Sequence, residues 1–128
     1  MKENFKQSKN SLRYKTGGVL FFQGDFVLKL LILTYLTFAS FYGSHFGNRR
    51  TASGERLSNK SLMAAHRYLP FGTRVKVTNP VTKQEVIVTI VDRGPFVRGR
   101  DLDLTQAAFK KLAPLSQGVV RVEYSVLD

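Results

Sequence analysis

Thr73-Arg74-Val75-Lys76-Val77-Thr78-Asn79-Pro80-Val81-Thr82-Lys83-Gln84-Glu85-Val86-Ile87-Val88-Thr89-Ile90-Val91 is the stretch whose reading decides the fold. Its first six residues alternate polar and apolar, the period-two signature of a half-buried strand. Residues 85–91 are nearly continuous and β-branched, which predicts a strand covered on both faces. Asn79 to Lys83 has the turn chemistry to join the two as a hairpin. Further on, residues 119–127 alternate again, with Val120, Val122, Tyr124 and Val126 on one face. Between them residues 105–112 predict one helix, with Thr105 as N-cap, Ala108 and Leu112 inward, and Lys110 and Lys111 in the last turn where cations favour the dipole. Pro114 ends it. Short strands, one short helix and Gly-rich connections imply a mainly β architecture, a small barrel of mixed connectivity.

With 128 residues the chain is one small domain plus an N-terminal segment, and 43% hydrophobic residues suffice for a core. Zero cysteines exclude a disulfide framework, a thiolate metal site, a Cys nucleophile and lipidation on the chain's own cysteine. The formal charge of +11 suits nucleic acid, an anionic membrane surface or an acidic polymer, and composition does not rank these. Residues 1–38 carry +4 and residues 39–128 carry +7. Leu30 to Ala39 has the length of a signal-peptide hydrophobic region, Lys29 supplies a positive flank, and a cut after Ala39 places Thr37 and Ala39 at the small-residue positions. The expected organisation is therefore a signal-like or membrane-anchor-like leader over 1–38, and a domain over 39–128 exported to the periplasm or cell envelope. A buried amphipathic helix and a misassigned start are the alternatives for the leader.

No G-x-S-x-G, P-loop, H-E-x-x-H or dinucleotide fingerprint occurs. Chemistry must come from a few acidic and imidazole groups beside unusual backbone. Asp92 stands where an apolar strand meets Arg93-Gly94-Pro95, either as a functional carboxylate at a barrel mouth or as a turn residue bonded to nearby N–H groups or Arg93. Glu55 follows Ser53-Gly54 in a polar loop, where most glutamates are solvated. His66 follows apolar Leu62 to Ala65, where a satisfied core or rim histidine is the plainer reading. Asp101 and Asp103 form a D-x-D too isolated for a metal site, and Asp103 is expected to order the start of the helix. Phe41, Tyr42, Phe46, Tyr68, Phe71 and Phe96 are candidate stacking surfaces for sugars or bases, with core packing the plainer reading for most. Arg49, Arg50, Arg93, Arg98 and Arg100 are candidate grips for a carboxylate or phosphate.

Ala39 to Gly43, Arg50 to Glu55, Ala64-Ala65-His66, Leu69 to Asn79, Val91 to Phe96 and Asp103-Leu104 together closely resemble the rare lipoprotein A (RlpA) family over about residues 39–128. The resemblance implies a six-stranded double-psi β-barrel, shared with expansins. It also implies endolytic, non-hydrolytic cleavage of peptidoglycan glycan strands, preferentially those without stem peptides, leaving 1,6-anhydro-muramic ends. Carried over position by position, it makes Glu55, His66 and Asp92 the catalytic candidates, with the proton donor open between Asp92 and Glu55. Tyr42, Thr51, Ser53, Arg93, Phe96, Arg98 and Asp103 become substrate-binding candidates. No cofactor, metal or nucleic acid is expected; the partners are the glycan strands, with membrane association through the N-terminal segment and a monomeric state. Two departures stand out, the missing lipidation cysteine and the absence of the family's C-terminal glycan-binding repeat within the sequence. The alternative class is a non-catalytic, expansin-like glycan-binding or wall-loosening module.

Overall fold

The computed structural model describes residues 19–23 and 32–127. Among the described residues the strands are β1 (Val19–Gln23), β2 (Ile32–Phe41), β3 (Met63–Ala65), β4 (Arg74–Thr78), β5 (Glu85–Asp92), β6 (Arg100–Leu104) and β7 (Val120–Val126), with one α-helix, α1 (Gln106–Lys110). Six of them close a ring in the order β2-β6-β3-β5-β4-β7 and back to β2, while β1 lies outside it, antiparallel along the first half of β2. Two pairs, β2 with β6 and β3 with β5, are parallel and the rest of the ring is antiparallel. This is the mixed barrel expected, in the double-psi arrangement that the resemblance implied.

The ring fills itself with the inward residues of alternating strands. Val75, Val77, Val88, Ile90, Leu102, Leu104 and Val122 are fully or almost fully buried, and Phe109 and Leu112 from the helical segment join them. The hairpin β4–β5 forms as expected, Thr78 opposite Glu85, and Asn79 accepts the N–H groups of Val81 and Thr82 in its turn. β5 differs from its expectation: Glu85 and Ile87 face outward and Ile87 is 43% exposed. A closed ring has no outer layer here, so even an apolar strand is half solvated. The helix is also shorter than expected. Thr105 occupies the N-cap position, but its hydroxyl donates to the Ser61 carbonyl, and Asn59 instead accepts the N–H of Gln106. Asp103 does not order the helix start; its carboxylate accepts from Ser40.

Each parallel pair carries one extra residue. Ala64 and Ala65 stand opposite Ile90 and Asp92, so Val91 is surplus on β5; Phe38 and Ala39 stand opposite Arg100 and Leu102, so Asp101 is surplus on β6. Such bulges re-aim side chains at strand ends. The start of the expected leader, residues 1–18, and its stretch 24–31 lie outside the described residues. Residues 32–38 lie within β2, so the expected boundary between 38 and 39 falls inside a barrel strand.

Candidate active site

The bulge at Val91 delivers Asp92 to one end of the ring, where the polar loop 51–55 docks over it. Ser53 donates its N–H to the Val91 carbonyl (3.1 Å), which is the freed bulge carbonyl, and Ala52 donates its N–H to Asp92 Oδ1 (2.8 Å). On the other side, Tyr42 donates its hydroxyl to Asp92 Oδ2 (2.6 Å). Tyr42 is itself buried, and burial together with the Asp92 carboxylate pushes its hydroxyl well above the ordinary tyrosine value. It therefore stays a hydrogen-bond donor. Both carboxylate oxygens of Asp92 are fixed, and each retains a lone pair for a ligand.

These groups open on a cleft of about 180 Å³. Tyr42, Phe46 and Leu57 give it apolar walls, Asp92 and Thr51 supply oxygen, and Arg49 and Arg50 bring positive charge. Arg50 also donates to the Gly54 carbonyl (2.8 Å), and Thr51 Oγ1 to the Glu55 carbonyl (2.6 Å), so the loop is tied into one unit. Thr51 and Ser53 share a hydroxyl contact at 3.0 Å. An apolar-walled cleft with a few fixed polar groups is the usual form of a small-ligand site.

A second carboxylate lies in register with the first. Ser40 pairs with Asp103, Asp103 with Ala65, and Ala65 with Asp92, one row across four strands. Asp103 Oδ1 accepts from Ser40 Oγ at 3.0 Å. Burial raises the Asp103 carboxyl above its ordinary value and the charge of Asp92 adds to this, against the opposing effects of Ser40 and Arg100.

The remaining sequence-predicted residues are placed differently. Glu55 has an exposed side chain that makes no hydrogen bond among the described residues. Arg93 does not lie against Asp92: its Nη1 donates to the carbonyls of His66 (3.1 Å) and Leu69 (2.9 Å), and its guanidinium covers Phe71 at 4.0 Å. Phe96 is 78% exposed and Arg98 is exposed, and neither lines the cleft. His66 is buried, with its ring on Tyr124 (3.0 Å). Among the described residues no three His, Cys, Asp or Glu side chains are grouped to hold a metal.

Of the aromatic candidates, Tyr42 and Phe46 line the cleft; Leu57 and Ser40 carry no local signal that distinguishes them from core or loop residues. Tyr124 did carry a signal. A tyrosine among Val120, Val122 and Val126 on a core face needs a partner for its hydroxyl.

Comparison with known proteins bears on the family and the fold. A family model described as lytic transglycolase matches residues 38–124. The chain is 53% identical over 90 residues to the probable endolytic peptidoglycan transglycosylase RlpA of Aquifex aeolicus, covering 70% of this chain and 40% of that one. It is 47% identical over 92 residues to the endolytic peptidoglycan transglycosylase RlpA of Pasteurella multocida, covering 70% and 31%. The chain thus spans well under half the length of either relative. In fold it is similar to the Streptomyces papain inhibitor (TM-score 0.61, 24% identity, covering 74% of this chain and 94% of that one). It is also similar in fold to a Clavibacter michiganensis expansin (TM-score 0.60, 24% identity, covering 74% and 50%).

Proposed function

Since the chain belongs to the lytic transglycolase family that includes the RlpA proteins, we propose that it is an endolytic peptidoglycan transglycosylase whose proton-handling group is Asp92. The observation that carries this is the Asp92 carboxylate, fixed by Tyr42 and the loop N–H of Ala52 and facing the cleft.

Asp92 gives its proton to the oxygen that links N-acetylmuramic acid to N-acetylglucosamine, and the C1–O bond breaks. Positive charge spreads over C1 and the ring oxygen. The C6 hydroxyl of the same muramic sugar closes onto C1 and returns its proton to Asp92, leaving a 1,6-anhydro end. No water is consumed, so one carboxyl group serves as acid and then as base. Tyr42 and Ala52 keep that group oriented through both transfers. Glu55, exposed on the docked loop and outside the lining of the cleft, acts on the cationic transition state only through longer-range charge.

Arg49 and Arg50 give the cleft its preference. A muramic sugar without its stem peptide exposes a lactyl carboxylate, and guanidinium groups pair with carboxylates in a defined geometry. This reading narrows the anion grip from the five candidate arginines to Arg49 and Arg50, the pair that lines the cleft. A substrate of this kind implies a location in the cell envelope.

The test is mass spectrometry of peptide-free glycan strands after incubation with the full chain. Anhydro-muramic ends are expected, and Asp92→Asn should lower their release by about 10²-fold or more with its circular dichroism unchanged. Reducing ends in place of anhydro ends, or an unaffected Asp92→Asn, would refute the assignment.

A further inference from the structure

We propose that His66 is a positioning residue that exchanges no proton during turnover, and that Tyr124 and Asp101 hold it in that role. The proposal rests on the reading of Asp92 as the reacting group.

The hydrogen bonds around the ring run in one direction. Nδ1 accepts the N–H groups of Tyr68 (3.1 Å) and Leu69 (3.2 Å), so it carries no hydrogen. The ring hydrogen therefore sits on Nε2 and points to Tyr124 Oη at 3.0 Å. Tyr124 in turn donates to Asp101 Oδ2 at 3.0 Å, and the other oxygen of Asp101 faces Arg67 Nη2 at 3.3 Å. Asp101 is the surplus residue of β6, 1% exposed, with its own N–H on Thr37 Oγ1. Every polar atom of the ring is thus committed inside the barrel. Burial first, then Arg67 and Arg93, lowers the imidazole to about 3, so it is neutral wherever the enzyme works.

What His66 offers the site is its main chain. Its N–H donates to the Asp92 carbonyl (3.2 Å), and its carbonyl accepts from Arg93 Nη1, which also holds the Leu69 carbonyl. The turn 66–69 is consequently clamped from within by Nδ1 and from without by Arg93. Together these contacts fix the Asp92 carbonyl and the Arg93 side chain that follows it. Arg67, Asp101, Tyr124 and His66 form one chain of contacts that ends on the reacting residue.

The same molecule shows that the acceptor need not titrate. Asn79 accepts the N–H groups two and three residues ahead, at 2.9 and 3.3 Å, the pattern His66 makes with Tyr68 and Leu69. An asparagine at position 66 offers the turn the same kind of acceptor and has no proton to exchange.

His66→Asn, His66→Ala and Tyr124→Phe are compared with the unaltered chain on peptide-free strands. His66→Asn should keep kcat within about tenfold of the unaltered chain, whereas His66→Ala, which removes the turn acceptor, should lose about 10²-fold. Tyr124→Phe should lower kcat several-fold with KM unchanged. A folded His66→Asn as inactive as Asp92→Asn would overturn the proposal. Nitrogen-15 NMR of the unaltered chain decides it should the variant fail to fold. Nδ1 bare and Nε2 protonated from about pH 5 to 8 is expected, and titration of the ring in that range overturns the proposal. Failure of the unaltered chain to form anhydro ends would remove the activity reading while leaving the NMR arm to decide the state of the ring.

Discussion

At the scale of single residues, Tyr42 shows how a buried hydroxyl serves a carboxylate. It cannot ionise beside Asp92 in a desolvated wall, so it donates at all working pH values. Tyr42→Phe removes one hydrogen bond to a charged group, worth about 1.5–3 kcal/mol. A 10- to 100-fold loss in kcat follows, with little change in KM, and steady-state assays on denuded strands check it. Arg49→Gln makes the complementary prediction: KM should rise on strands bearing the lactyl carboxylate and stay level on strands where it is amidated. His66 sets a pH dependence of stability. Its folded value, about 3, lies below the ordinary 6.5, so the unfolded chain takes up the proton first as pH falls. The group therefore contributes full stability above about pH 6.5 and loses it toward pH 3, by at most about 1.4 kcal/mol per pH unit. Asp103, raised by burial, acts in the opposite sense. Urea unfolding of the unaltered chain and of His66→Asn at pH 7 and 4.5 isolates the histidine, and equal slopes for the two would contradict the assignment. The placement of Asp92 at the end of β5 was legible because the apolar run stops at Arg93-Gly94-Pro95. The engagement of Arg93 was not, since adjacency in sequence suggests a pair with Asp92, whereas the carbonyls that hold it belong to residues 66 and 69.

Among the elements, loop 51–55 depends on one backbone conformation. Gly54 has φ of +93°, and a Cβ there would meet nothing within 4 Å. Gly54→Ala therefore acts through the backbone alone, at about 1–2 kcal/mol. Because Arg50 is anchored on the Gly54 carbonyl, the shift passes to Ala52 and to Asp92. A lower kcat with a melting temperature reduced by several degrees is expected, and unchanged turnover would show that the loop does not steer the carboxylate. The hairpin β4–β5 and strand β7 were legible from alternation and turn residues, which are local properties. The exposure of Ile87 was not, because it depends on ring closure. Nor was the capping of α1 by Asn59, which comes from a separate loop.

For the whole molecule, the decisive element is the strand that straddles the expected leader boundary. Residues 35–39 of β2 pair with β7, and Tyr35, buried, stacks on Tyr124 with ring centres 5.2 Å apart. A chain starting at Ser40 should therefore fail to close the ring and show no cooperative thermal unfolding, whereas one starting at Ile32 should unfold cooperatively. An apolar run rich in Leu, Phe and Tyr has the hydropathy of a signal segment and of a barrel strand alike, so composition could not separate the two. Closure is a property of all six strands at once.

Closure also fixes a length. Asp92 and Asp103 stand on either side of Ala65 in one row, so their main chains are two strand spacings apart, roughly 9.6 Å. Ala65 is 1% exposed and its methyl group is the only side chain in that row between them. The interval is thus a ruler ruled in backbone hydrogen bonds. Side-chain torsions can adjust where each oxygen points, but altering the span itself means unzipping β3 from a neighbour.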